Sequence, residues 1–252
     1  MAGKVTFVGA GPGAADLITL RGARALAQAE VVLFDALTDP ALRALAPHAR
    51  WIDVGKRGFG RAAQQTEIDA LLVRLAQQHA QVVRLKGGDP SLFGRLEEEL
   101  AALGAHGIDC EVVPGVTAAL AAAAAARRPL TRRGRGRSVA FGTAMTREGE
   151  MRATRQADSE VFYMAGRQLA ALSRRLLDAG WPADTPVCVV SRAGWSDQIV
   201  SSHRLDTMSP ATLLHAGRPT VVTVGTAASA VVPSAKTLIE LSPAAGKVAA
   251  PF

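Results

Sequence analysis

The sequence predicts an α/β fold: a parallel sheet with helices on both faces in the N-terminal half, then a mixed sheet in the C-terminal half. Two observations carry this. Short β-branched runs alternate with helical patterns through the first half, the signature of βαβ units. In the second half strand candidates outnumber helix candidates, which purely parallel pairing does not allow. The chain has 252 residues, of which 48% are hydrophobic and only 4% aromatic, so a large core must be filled by aliphatics and alanine.

The first-half strands are predicted at "VTFV" (5–8), "VVLF" (31–34), "WIDV" (51–54), "VVRL" (82–85) and "CEVV" (110–113). Between them, residues 17–29 put Leu17, Leu20, Ala23 and Ala27 on one helical face, and residues 67–79 do the same with Ile68, Leu71, Leu72 and Leu75. A third helix, 95–105, runs towards Gly104, a helix-stop residue. Residues 35–50 give no clear element, because Pro40 and Pro47 interrupt them. In the second half, strands are predicted at 138–143, 160–164, 186–190, 198–202 and 219–225, with helices at 167–179 and 209–215. Residues 233–252, rich in Pro, Ala, Ser and Lys, read as a frayed tail.

The turns that leave the first-half strands are unusual in composition. They are Gly9-Ala10-Gly11-Pro12-Gly13, Asp35, Gly55-Lys56, Lys86-Gly87-Gly88-Asp89-Pro90 and Pro114-Gly115-Val116-Thr117. In a parallel sheet all five carboxyl ends lie on one edge, where open α/β proteins bind ligands.

Charge and cysteine content narrow the function classes. Lys and Arg total 29 against 22 Asp and Glu, which points to an anionic partner or to an Arg-rich composition without functional meaning. A nucleic-acid module predicts exposed aromatics among the basic residues, and the few aromatics here lie mostly in apolar runs. Cys110 and Cys188 sit in apolar runs and read as free buried thiols of a reducing compartment. The start lacks a signal-peptide pattern, and the longest apolar stretch, 116–126, is far short of the ~20 residues of a membrane helix. A soluble cytoplasmic protein is expected. The five histidines are scattered without ligand spacing, so no metal site is expected.

Each motif has a bland rival. "GAGPGA" (9–14) fits a dinucleotide turn loosely, since Pro12 removes an N–H that a pyrophosphate would use; the rival reading is a tight turn without a ligand. "KGGDP" lets a ligand approach the backbone beside Asp89, although Asp89 alone could be a helix cap. Asp35 and Lys56 taken singly could be surface charges, and Glu97, Glu98 and Glu99 read as a solvated helix face. The run "RRPLTRRGRGR" (127–137), six arginines without an acid, is either a basic linker or a clamp for carboxylates or phosphates.

Taken in order, "VTFVGAGPGAADLITLRGARAL", "VLFDALTDP", "VGKR", "VVRLKGGDPSLFGR", "EVVPGVTAA", "PLTRR", "VFYMAG", "ADTPVCVV" and "PTVVTVG" resemble the S-adenosylmethionine-dependent uroporphyrinogen-III C-methyltransferases, within the tetrapyrrole methylase family. The likeness spans roughly residues 4–227. It implies two α/β domains, 1–114 and 115–232, with the active site in the cleft between them and a homodimeric assembly. It implies transfer of methyl groups from S-adenosylmethionine, leaving S-adenosylhomocysteine, to C2 and C7 of uroporphyrinogen III, giving precorrin-2 on the branch towards sirohaem or cobalamin. By position, Pro12, Gly87, Gly88, Asp89, Leu92, Thr117, Ala118, Met164 and Ala193 match cofactor-contacting residues. Asp35 and Lys56 match a proton acceptor and a proton donor. Arg95, Glu98 and Arg133 match substrate-side residues, with Arg95 also a candidate for proton removal. Departures from the family pattern fall mostly on the substrate side: Ala36 follows Asp35, Leu96-Glu97 follow Arg95, and "RRGRGR" replaces a run of the "HRDYA" type. The alternatives are a diverged tetrapyrrole methylase acting on another precorrin, a nicotinamide enzyme using "GAGPGA", or a basic nucleic-acid-binding module.

Overall fold

The computed structural model describes residues 3–55, 65–145 and 153–231. Lys56 and the tail 233–252 lie outside them. The first lobe holds a parallel sheet of β1 (Lys4–Gly9), β2 (Val31–Phe34), β3 (Arg50–Asp53), β4 (Gln81–Lys86) and β5 (Cys110–Val113), in the order β3-β2-β4-β1-β5. Its strands are apolar on both faces, and the two-residue period divides them. Val5, Phe7, Val31, Leu33 and Val82 pack under α2 (Gln65–Gln78) and α3 (Leu96–Gly104). Val8, Val32, Val83 and Leu85 pack under α1 (Leu20–Ala27) and Leu42. Fully burying each such side chain contributes about 1.5–3 kcal/mol.

The second sheet runs β6-β7-β10-β8-β9, from β6 (Val139–Thr143), β7 (Ser159–Tyr163), β8 (Pro186–Ser191), β9 (Ile199–Arg204) and β10 (Thr220–Gly225). Only the β6–β7 pair is parallel, so the sheet is mixed as expected. Phe162, Val187, Val189, Val222 and Val224 face α5 (Leu169–Asp178). Val161, Tyr163, Cys188, Val190 and Val221 face the alanine helix α4 (Ala118–Ala125), whose small side chains let it lie close to the strands.

Local chemistry explains where the elements depart from the sequence pattern. The 17–29 helix begins only at Leu20, because Thr19 caps it by accepting the Gly22 N–H at 3.1 Å. The unclear stretch 35–50 contains a 3₁₀ helix, Pro40–Leu45, started by Pro40 and capped by Asp39. The helix predicted over 209–215 is a 3₁₀ turn, Ser209–Ala211, followed by one turn of α-helix, α6 (Thr212–His215). Cys188 is buried as expected, whereas Cys110 is only partly covered; both thiols are free.

Candidate active site between the two sheets

The register of the first sheet sets Gly9 beside Lys86, Phe34 beside Leu85 and Val8 beside Val113. The turns that leave β1, β2, β4 and β5 therefore share one edge. There the backbones nearly touch. A Cβ on Gly9 would stand 2.5 Å from the Gly115 Cα, and one on Gly115 would stand 2.3 Å from the Gly88 carbonyl oxygen. Gly11 and Gly88 form an isolated bridge, the Gly88 N–H donating to the Gly11 carbonyl at 2.7 Å. Asp89 locks the arrangement: Oδ2 accepts the Gly115 N–H at 2.9 Å and Oδ1 accepts the Ser91 N–H at 2.8 Å.

Gly88 is different. Its φ of +70° is left-handed, and an added Cβ would find nothing nearer than 4.0 Å, where the Ala118 nitrogen and the Thr117 Cα lie. The backbone of Gly87-Gly88 thus borders open space facing Thr117 and Ala118. A flat or extended ligand can lie against such a cradle, so these residues fit the methyl donor that the sequence resemblance implies.

Behind this edge lies a charge network. Arg84 and Lys86, alternate residues of β4, both reach Glu99 of α3: Arg84 Nε donates to Oε1 at 2.8 Å and Lys86 Nζ to Oε2 at 2.5 Å. Arg84 Nη2 also donates to Asp35 Oδ1 at 2.6 Å, and Nη1 bonds the Leu33 and Leu85 carbonyls. The Glu99 side chain is 0% exposed and those of Arg84 and Lys86 are 3% exposed, while that of Asp35 is 32% exposed and looks out on the strand-tip edge. Burial alone would lower the Arg84 pKa, but Asp35 and Glu99 outweigh it and raise it above the ordinary value. Burial and the neighbouring Arg84 lower the Lys86 pKa.

The second sheet presents its own tips to this edge. Tyr163, Ser191 and Thr220 end or begin strands at one end of it, so the segments Met164–Ala165 and Arg192–Ala193 lie together. On this side the Thr117 and Tyr163 hydroxyls hydrogen-bond at 2.7 Å. Thr117 leads into α4 but does not cap it; its hydroxyl fixes the start of α4 to the tip of β7 instead. The Phe93 ring lies 5.0 Å from that of Tyr163, and the Phe141 ring lies 6.1 Å from it. Gly13 lies against the Trp195 indole, and Gly194 approaches Ala14. Phe93, Phe141 and Met164 remain more than 40% exposed, an apolar lining for the space between the lobes.

Of the predicted site residues, Pro12, Gly87, Gly88, Asp89, Leu92, Thr117 and Ala118 lie on the first-sheet edge, and Met164 and Ala193 on the facing edge. Asp35 shares the first edge. Arg95 and Glu98 pair with each other at the start of α3, at 2.7 and 2.5 Å, and both are exposed. The Glu98 hydrogen bond raises the Arg95 pKa and keeps its guanidinium protonated. Arg133 lies elsewhere. Its hairpin, closed by the Arg132–Gly136 bridge, packs near Asp158 and Thr226, at the opposite end of the second sheet from Tyr163. The glutamate run also divides: Glu97 and Glu98 are exposed, but Glu99 points inward and is no part of a solvated face. Sequence reading missed Arg84, Glu99, Tyr163 and Trp195. The available signal was in "VVRLK", where two cations in a buried strand demand an acid nearby.

Comparison with known proteins is consistent with this geometry. Residues 4–209 match the family model of tetrapyrrole (corrin/porphyrin) methylases. The uroporphyrinogen-III C-methyltransferase of Pseudomonas aeruginosa is 45% identical over 202 residues, covering 79% of this chain and 82% of that protein. Siroheme synthase 1 of Serratia proteamaculans is also 45% identical over 81% of this chain, which spans only 44% of that longer protein. A crystal structure of uroporphyrin-III C-methyltransferase from Thermus thermophilus, complexed with S-adenyl homocysteine, superposes with a TM-score of 0.78 at 36% identity, covering 89% of this chain and 98% of that one. With a family model that matches residues 4–209, well over half of its length, this chain belongs to the tetrapyrrole methylases.

Proposed function

We propose that this chain is an S-adenosylmethionine-dependent uroporphyrinogen-III C-methyltransferase that methylates C2 and C7 of uroporphyrinogen III to give precorrin-2. The observation that carries it is the glycine-edged cradle at Gly87-Gly88, facing an apolar second-lobe wall, in a chain 45% identical to an enzyme of that name. When bound, the donor would supply an activated methyl group for an electron-rich pyrrole carbon and leave as a thioether; that carbon already carries a side chain and has no hydrogen, so the balancing proton would leave from another position of the tetrapyrrole.

The chain's own residues supply position and proton handling. Gly87, Gly88, Thr117, Ala118, Met164 and Ala193 hold the donor between the facing edges, with Pro12, Asp89 and Leu92 shaping the turns around it. Alignment of reacting groups contributes up to ~7–11 kcal/mol in ideal cases. Phe93, Phe141 and Met164 exclude water from the reacting carbon. Asp35, oriented by Arg84, accepts the proton; Lys56 is its assigned counterpart as donor. Arg95, kept cationic by Glu98, meets a substrate carboxylate better than it removes a proton, since a raised pKa opposes the base role. Arg133 lies away from its own chain's cleft, and a homodimer is the arrangement in which it could meet substrate held by a second copy. A cytoplasmic location completes the reading; among the described residues no helix is long and apolar enough to cross a membrane.

The test is product analysis with labelled donor and uroporphyrinogen III. The expected product carries two added CH2 equivalents, located at C2 and C7. Methylation of a different precorrin, with none of uroporphyrinogen III, would replace this substrate assignment while leaving the family intact.

A further inference from the structure

Apart from Arg133, the arginine run at 127–137 has no part in the cleft described above; it builds a feature of its own. At the end of the second sheet where Ser159 pairs with Gly225, a cavity of about 620 Å³ is lined by Arg132, Arg135, Arg155, Trp181 and Thr226, among others. Six-residue β10 separates this end from the cleft, a span of about 17 Å. Three guanidinium-bearing residues therefore meet here, far from the proposed donor site.

One acid, Asp158, also lines the cavity and keeps its charge, so three arginines there face a single carboxylate. The Asp158 carboxylate is taken up by the Arg137 and Ser138 N–H groups at 2.8 and 3.0 Å and by the Ser138 hydroxyl at 2.8 Å. Arg155 is fixed by a bond to the Gly180 carbonyl and by its place over the Trp181 ring, at 5.5 Å. Arg132 is fixed by bonds to the Ser229 and Ala230 carbonyls. Its Nε is nonetheless a buried donor without a hydrogen-bond partner among the described residues. Burial, Arg128 and Arg135 together lower the Arg132 pKa, so its charge is held at a cost that a bound anion would offset.

We infer that the hairpin, with Arg155, forms a second site that binds a small, multiply charged oxyanion, outside the methyl-transfer cleft. Two sources share that chemistry: a phosphate group or a compact polycarboxylate. Arginine forks match both bidentately.

Isothermal titration of the whole chain with inorganic phosphate and, separately, with citrate tests the inference and distinguishes the sources. Saturable binding of either probe is expected, weakened at least tenfold by Arg135→Gln and by Arg155→Gln. Arg174→Gln, which removes one exposed charge from α5, should leave it unchanged. S-adenosylhomocysteine binding should be the same in all three variants, which separates this site from the cleft. Arg135 is the cleaner substitution, because Arg155 also packs on Trp181. Absence of binding by both probes, or equal weakening by Arg174→Gln, would overturn the inference. Binding of phosphate alone or citrate alone supports it and names the source.

Discussion

Asp35 illustrates how little a single residue says by itself. In the sequence it is one acid after a strand, and only its neighbours give it a task. Arg84 fixes one carboxylate oxygen at 2.6 Å while the side chain stays about one-third exposed on the cleft edge. Asp35→Asn should therefore lower kcat by ~10²–10⁴-fold, the usual range for a lost general base. The dissociation constant for S-adenosylhomocysteine should stay within about twofold. Calorimetry beside steady-state kinetics checks this, and parallel loss of both quantities would argue against the proton role. Asp89 acts differently, through the backbone. Asp89→Ala frees the Gly115 and Ser91 N–H groups and loosens the tips that face the donor. Losing two such bonds, each ~0.5–1.5 kcal/mol, should weaken S-adenosylhomocysteine binding by roughly tenfold. An unchanged affinity would mean that the Asp89 bonds do not shape the donor site.

At the scale of elements, the pairing of β4 with α3 is the most exacting. One buried carboxylate, Glu99, serves two buried cations on alternate residues of the strand. Glu99→Gln removes the negative partner and leaves Lys86 without its counter-ion, so it should destabilise the fold by about 3–5 kcal/mol. Glu97→Gln, two residues earlier and exposed, should change stability by no more than ~0.5 kcal/mol. Urea denaturation of both variants checks the contrast; similar small losses would mean that the network contributes little. The same helix shows what the sequence could disclose. Its existence and span were legible from periodicity, because apolar spacing reflects burial directly. Which of three adjacent glutamates turned inward was not legible, since that depends on where β4 places its cations in three dimensions. The convergence of glycine turns was legible because parallel topology forces strand ends to one edge. The hairpin at Arg132–Gly136 was not: charge composition announced an anion, but only the direction of α4 carries those arginines away from the cleft.

The whole molecule depends on two sheets holding their tips face to face, and the second sheet keeps its side of the cleft with a string of polar groups. His203 Nε2 lies 2.7 Å from Ser201 Oγ, which lies 2.8 Å from His215 Nε2; His215 Nδ1 lies 2.9 Å from Ser191 Oγ. Arg218 Nε donates to the same Ser191 oxygen at 3.0 Å, and Arg218 and Arg192 both hold Asp197 beside the loop of Ala193 and Trp195. Arg218 can only donate to Ser191; with the Ser191 proton turned towards His215 Nδ1, that nitrogen accepts and Nε2 is the His215 donor to Ser201. A second proton on His215 would break this order. Burial first, then His203 and Arg218, pushes the His215 pKa down from 6.5 to about 4. Above pH 6.5 the imidazole is neutral whether the chain is folded or not, and stability is unaffected. Between 6.5 and 4 only the unfolded chain takes up the proton, so stability falls as pH falls, by up to about 3 kcal/mol. His203, whose pKa burial also lowers, acts in the same direction. Denaturant unfolding at a series of pH values from 7.5 to 4.5 should show this decline, and His215→Gln should flatten it. A variant that declines as steeply as the parent would remove His215 as the cause and leave the acid sensitivity of the second lobe to other groups.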